Sequence, residues 1–95
     1  MENKPTIVLV TGKTGAGKSW LINALMDKEA PGSTAHIDAV QYLLDEANGR
    51  GGKEKLHEVL KTHKGKIIFV ELQELKDAHF LGLDYDRHIH LEWYR

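Results

Sequence analysis

One stretch of this chain is dense in residues whose types and spacing can do chemistry: Gly12-Lys13-Thr14-Gly15-Ala16-Gly17-Lys18-Ser19, a complete G-x-x-x-x-G-K-S pattern. Gly12, Gly15 and Gly17 lack a Cβ, so the backbone can turn left-handed and wrap closely round an anion. The N–H groups of such a loop, with the positive end of a following helix, converge on phosphate oxygens. Lys18 then extends to the β- and γ-phosphates of a nucleotide, and the Ser19 hydroxyl sits on Mg²⁺. With glycine near 7% of residues, the four specified positions coincide by accident in roughly one short chain in several hundred. The expected ligand is ATP or another nucleoside triphosphate with Mg²⁺, held by residues 12 to 19.

Such a loop needs a strand to deliver it and a helix to leave it. Thr6-Ile7-Val8-Leu9-Val10-Thr11, rich in β-branched residues, reads as a buried strand. After the loop, Leu21, Ala24 and Leu25 recur at helical spacing through Met26. Ala30-Pro31-Gly32-Ser33 breaks the chain, and residues 34 to 38 form a short strand ending at Asp38. A helix follows with Ala39, Val40, Leu43, Leu44 and Ala47 on one face, which Asp38 is placed to cap. Residues 48 to 52 interrupt it, and a helix over 53 to 64 resumes with Leu56, Val59 and Leu60 on one side. Gly65 ends that helix, and Lys66-Ile67-Ile68-Phe69-Val70-Glu71-Leu72 reads as a second strand, apolar on both faces as a central parallel strand should be. A short helix over 73 to 81 ends at Gly82. From 87 to 94 the chain alternates, with Ile89, Leu91 and Trp93 on one face and His88, His90, Glu92 and Tyr94 on the other. Strands alternating with helices predict one α/β domain over 1 to 95: three layers, a mostly parallel sheet of about four strands and flanking helices. The glycine loop belongs at the carboxyl edge of the first strand, where ligands bind in open α/β sheets.

The strand–loop–helix segment resembles the P-loop NTPase superfamily, whose roles carry over to Gly12, Gly17, Lys18 and Ser19. The loop followed by Leu21-Ile22-Asn23-Ala24-Leu25 looks especially like the start of Era-like GTPases, a likeness confined to about residues 6 to 25. At 95 residues the chain resembles the N-terminal half of the superfamily's domain, closed off early. The run ending at Glu71 resembles a Walker B strand, whose acidic residue binds Mg²⁺ through water or polarises the attacking water. Here the usual Asp is missing and Val70 precedes Glu71, so a solvated or capping carboxylate is the competing reading. Asp38 ends the second strand, where small-molecule P-loop kinases often place a substrate-binding or catalytic aspartate; the helix cap is its competing role. Asp38 and Glu71 are both expected at the loop's edge of the sheet, so either can share the magnesium.

The remaining candidates have plainer readings. His88 and His90 share a strand face and two such ligands can bind a transition metal, but no third ligand stands at a diagnostic spacing, so a surface pair is expected. Arg50, in a glycine-rich segment, can reach phosphates; Arg87 or Arg95 can act across an oligomer interface as an arginine finger. For each, a solvated arginine is the default. Trp20, directly after Ser19, packs in the core or lies by the nucleotide, and core packing is the expectation.

Composition narrows the partners. A net charge of −1 with no basic block supplies no electrostatic footprint for nucleic acid. Without cysteine there is no disulfide, thiolate nucleophile or Cys-based zinc site. No apolar run approaches a membrane span, and the N-terminus lacks a signal peptide's apolar core, so a cytoplasmic compartment is expected. Four functions compete: an ATP-binding, Mg-dependent hydrolase in which Glu71 positions water; a GTPase; a small-molecule kinase using Asp38; and a non-catalytic nucleotide- or phosphate-binding protein acting through a protein partner or homo-oligomer, with Trp93 and Tyr94 as its contact end. Against the GTPase stands the lack of Asp-x-x-Gly and Asn-Lys-x-Asp, since Asp38-Ala39-Val40-Gln41 has no glycine. Against the kinase stands the lack of an arginine-rich lid.

Overall fold

The computed structural model describes residues 4–13 and 15–92. Along the chain it runs β1 (Thr6–Thr11), α1 (Lys18–Met26), β2 (Thr34–Asp38), α2 (Val40–Ala47), α3 (Gly52–Lys61), β3 (Ile67–Leu72), α4 (Leu75–Phe80) and β4 (Arg87–His90). The four strands make one sheet in the order β2-β3-β1-β4, every neighbouring pair parallel.

That order makes two crossovers run in opposite directions. The β1-to-β2 connection passes over β3 through α1; the β3-to-β4 connection passes back over β1 through α4. Right-handed crossovers travelling opposite ways put their helices on opposite faces of a sheet, and the core divides accordingly. On one face Val8, Val10 and Phe69 pack with Ile22, Leu25 and Met26 of α1 and with Ile89 and Leu91. On the other, Leu9, Ile68, Val70 and Leu72 pack with Leu56 and Leu60 of α3, Ala78 of α4, and Tyr42 and Leu43 of α2. The result is a three-layer α/β/α arrangement with α1 alone on its side. Burying one such aliphatic side chain is worth roughly 1.5–3 kcal/mol, and Ile22, fully buried, is the main anchor of α1.

Several elements differ from their expected bounds. Gly52 is the first residue of α3 rather than part of a break, and it is buried against α2. The helix ends at Lys61, short of 64. The N-cap of α2 is Ala39, so Asp38 stands one residue outside, where its Oδ1 accepts the Val40 N–H at 3.1 Å. Leu44, expected on the packed face, is 49% exposed. Glu74, not Gln73, opens α4, through a reciprocal capping box with Asp77. Pairing of β4 stops at His90, short of 94, and Trp93, Tyr94 and Arg95 lie outside the described residues. Gly82, at φ 63, does end α4, with the Leu83 N–H closing on Ala78 O at 2.9 Å.

Asp45 ties α2 to α3. It accepts from Gln41 Nε2 at 3.1 Å and pairs with Arg50 and Lys55 at 3.4 and 3.6 Å. The Gln41 hydrogen bond, followed by the charges of Lys55 and Arg50, holds its carboxyl below the ordinary value near 3.8. A carboxyl depressed on folding adds stability above its unfolded value and loses it as pH falls through the folded one. The melting-temperature advantage of wild type over Asp45→Asn should therefore shrink as pH is lowered below about 4. A difference independent of pH would show that the charge on Asp45 plays no part.

Candidate functional site

The carboxyl ends of β1 and β3 lie side by side at the point where the two crossovers diverge, the crevice in which open α/β sheets bind ligands. Gly12 N–H joins these ends by donating to Gln73 O at 3.0 Å, and on the other side of β3 the Ala39 N–H, just past β2, donates to Glu71 O at 3.0 Å. The glycine loop leaves β1 here and feeds α1, whose N-cap Gly17 is left-handed at φ 90, ψ 22. Gly12, at φ 150, needs its missing Cβ for a second reason, since one built there would lie 2.7 Å from Leu91 O.

Lys18 is 6% exposed, and its ammonium donates to Gly12 O at 2.6 Å and Lys13 O at 3.0 Å. Ser19, the next residue of α1, turns towards β3, its hydroxyl 3.5 Å from Glu71 Oε1, at the outer limit of a hydrogen bond. The same carboxylate oxygen accepts from His36 Nε2 at 3.0 Å. His36 was no candidate in the sequence, yet the signal was present: it stands two residues before Asp38 on a strand and so shares its face. Asp38 pairs in register with Glu71.

These groups line one cavity of about 450 Å³, formed by Gly15, Gly17, Lys18 and Ser19 on the loop side, Asp38 and Val40 at the end of β2, Glu71 and Gln73 at the end of β3, and Trp20 at the rim. Loop, Asp38 and Glu71 thus come together across separations of 19 (Ser19 to Asp38) to 56 (Gly15 to Glu71) positions of chain. Trp20 is not in the core: its side chain is 76% exposed. Lys13 is exposed and Ala16 half-buried beside the loop, neither lining the cavity; Thr14 falls outside the described residues.

Other candidates sit elsewhere. Arg50 pairs with Asp45 and lines a separate surface hollow with α3. Arg87 pairs in register with Val8, three positions from the end of β1. His88 and His90 both aim at the fully buried Thr11 hydroxyl, His88 Nε2 and His90 Nδ1 each 2.8 Å from it. A hydroxyl has one proton, so with neutral rings it donates to one imidazole and accepts from the other. The pair therefore braces the root of the glycine loop from the sheet's other face. Among the described residues no three or more His, Asp or Glu gather as a metal cluster. No helix among them is long and apolar enough to cross a membrane. No protein-family model, curated protein or solved structure matches this chain.

Proposed function

We propose that this chain is a P-loop nucleotide-binding protein that holds ATP, or another nucleoside triphosphate, on residues 12 to 19 and hydrolyses it with Mg²⁺. The observation carrying the reading is that the loop, a buried lysine, a serine hydroxyl and a carboxylate converge on one cavity at the sheet's switch point. A buried ammonium is costly without a counter-charge, and a phosphate on the loop amides supplies one within reach of Lys18. The sheet order and the single strand between β1 and β2 are in keeping with this reading, since they place the Glu71 strand directly beside the loop strand.

The donor set suits magnesium, which keeps several waters and takes one or two protein oxygens beside those of phosphate: Ser19 Oγ would bind it directly and Glu71 through water. When bound, the ion neutralises charge developing on the β- and γ-phosphates. The loop amides and Lys18 stabilise the transferring phosphoryl group. Glu71, oriented by His36 Nε2–H, holds the attacking water and takes up its proton.

Glu71→Gln tests the catalytic half. The amide oxygen still accepts from His36, so the site keeps its shape, while the base is gone. Phosphate release should fall by about 10²–10⁴-fold with ATP affinity retained. Equal release by both proteins would remove Glu71 from the chemistry. Wild-type protein that binds ATP without turnover would leave the non-catalytic binding role instead. A kinase reading has one observation in its favour, the Asp38 carboxylate in the same cavity; phosphate appearing on an added alcohol rather than in water would favour it.

A further inference from the structure

Trp20 is out of place for so large a side chain, since the described residues leave most of it open to solvent. Along α1, Lys18 and Ile22 are buried, whereas the indole between them is 76% exposed. Large apolar rings are disfavoured in water in proportion to the surface they show. Among the described residues two other large hydrophobics are exposed, Leu44 at 49% and Phe80 at 53%, but neither lines the loop's cavity. Trp20 does, and the wall around it is otherwise glycine backbone and polar groups apart from Val40.

Its place in the chain matters as much as its exposure. Phosphates held on the amides of residues 15 to 19 sit at the first turn of α1, and Trp20 follows Ser19 by one residue, about 1.5 Å along the helix axis. A nucleotide continues from its α-phosphate into a ribose and then a flat heteroaromatic base. A ligand anchored by phosphate at this turn therefore brings its ring within a side chain's reach of the indole. The cavity volume of about 450 Å³ is that of an ordinary small-molecule site.

We infer that Trp20 is the stacking platform for the nucleobase, so that this site selects nucleotides by phosphate chain and by flatness of the ring. The inference rests on the phosphate-binding reading above. Stacking is tolerant of base identity because every base has a π-face, which fits a chain lacking the guanine-reading Asn-Lys-x-Asp. ATP and GTP should therefore depend on Trp20 alike, and a ligand with phosphates but no base should not depend on it.

The test uses the full chain carrying Trp93→Phe, which leaves Trp20 as the sole indole because the chain has two tryptophans. Mg-ATP, Mg-GTP and Mg-tripolyphosphate are titrated while indole emission is recorded, with affinities taken by calorimetry. ATP and GTP should quench the emission and tripolyphosphate should leave it nearly unchanged. Trp20→Ala should weaken ATP and GTP binding by about 5- to 150-fold, the effect of removing one base–aromatic stack, with tripolyphosphate affinity unaltered. Trp20→Phe, which keeps a ring, should recover most of the loss. If ATP binds wild type and Trp20→Ala equally well, stacking is overturned while the loop stands. If neither ATP nor tripolyphosphate binds wild type, the phosphate site itself is overturned, and the inference with it.

Discussion

Replacing Lys18 with alanine is expected to abolish the thermal stabilisation that the proposed function predicts for this protein with Mg-ATP. A ligand that binds only the folded state at a hundred times its Kd adds about 2.7 kcal/mol, which in a domain of this size raises the melting temperature by roughly 10–20 °C. Lys18 is the charged group the loop presents to the β- and γ-phosphates under the proposed reading. Its removal should reduce the shift to near zero for ATP and GTP alike. The substitution also takes a donor from Gly12 O and Lys13 O, at a cost of about 1–3 kcal/mol where those carbonyls stay unpaired. Each variant's ligand-free melt must therefore serve as its own baseline. Lys18→Arg separates charge from geometry: it keeps the charge but places a planar fork where a compact ammonium fits, and should recover only part of the shift. An unchanged ATP shift in Lys18→Ala would end the case for a phosphate site at residues 12 to 19.

The second large effect is on stability, and its sign runs against intuition. Gly52 occupies the first turn of α3, and intrinsic propensity favours alanine over glycine in a helix by about 1 kcal/mol. Yet a Cβ at Gly52 would collide with Tyr42 O and stand 2.7 Å from Glu46 N, both backbone atoms of α2 that cannot swing aside. Lys53 N–H donates to Glu46 Oε1 at 2.8 Å in the same corner, so separating the helices also strains that cap. Overpacking of this kind typically costs 1–3 kcal/mol, and the clash lies at the severe end. Gly52→Ala should lower the melting temperature by roughly 10–20 °C. A rise in melting temperature would mean that propensity wins and that α2 and α3 are not in contact through this glycine.

These two residues show how unevenly the sequence discloses its structure. Lys18 was legible because everything that identifies it lies within eight consecutive residues flanked by a strand and a helix. Gly52 was not, because a glycine next to Gly51 looks like part of a turn; only the approach of α2 reveals that it is a packing residue. Trp20 followed the same logic in reverse: a tryptophan on a helix that touches the sheet is ordinarily core, and its exposure depends on which face of α1 the sheet covers. Ile22, two positions on, took that face.

The second-rank carboxylates fall between these extremes. Their positions at strand ends followed from local apolar runs, so a common edge was foreseeable once the strands were parallel. What Glu71 touches was not. Its neighbours Ser19 and His36 are 52 and 35 residues away, on separate elements, and it meets them only because β3 inserts between β1 and β2. Likewise the alternation of His88 and His90 placed them on one face, but their shared acceptor and donor, Thr11, lies 77 and 79 residues earlier.

By itself, then, the sequence determined the element types, the alternating α/β class, and the contiguous glycine loop on which the proposed phosphate site rests, because backbone propensity, side-chain periodicity and loop composition are local properties. The tertiary structure alone decided the strand order, the partners of Glu71 and Thr11, the intolerance of Gly52 and the exposure of Trp20. Those depend on which faces meet when apolar surface is buried, and that is settled across the whole chain.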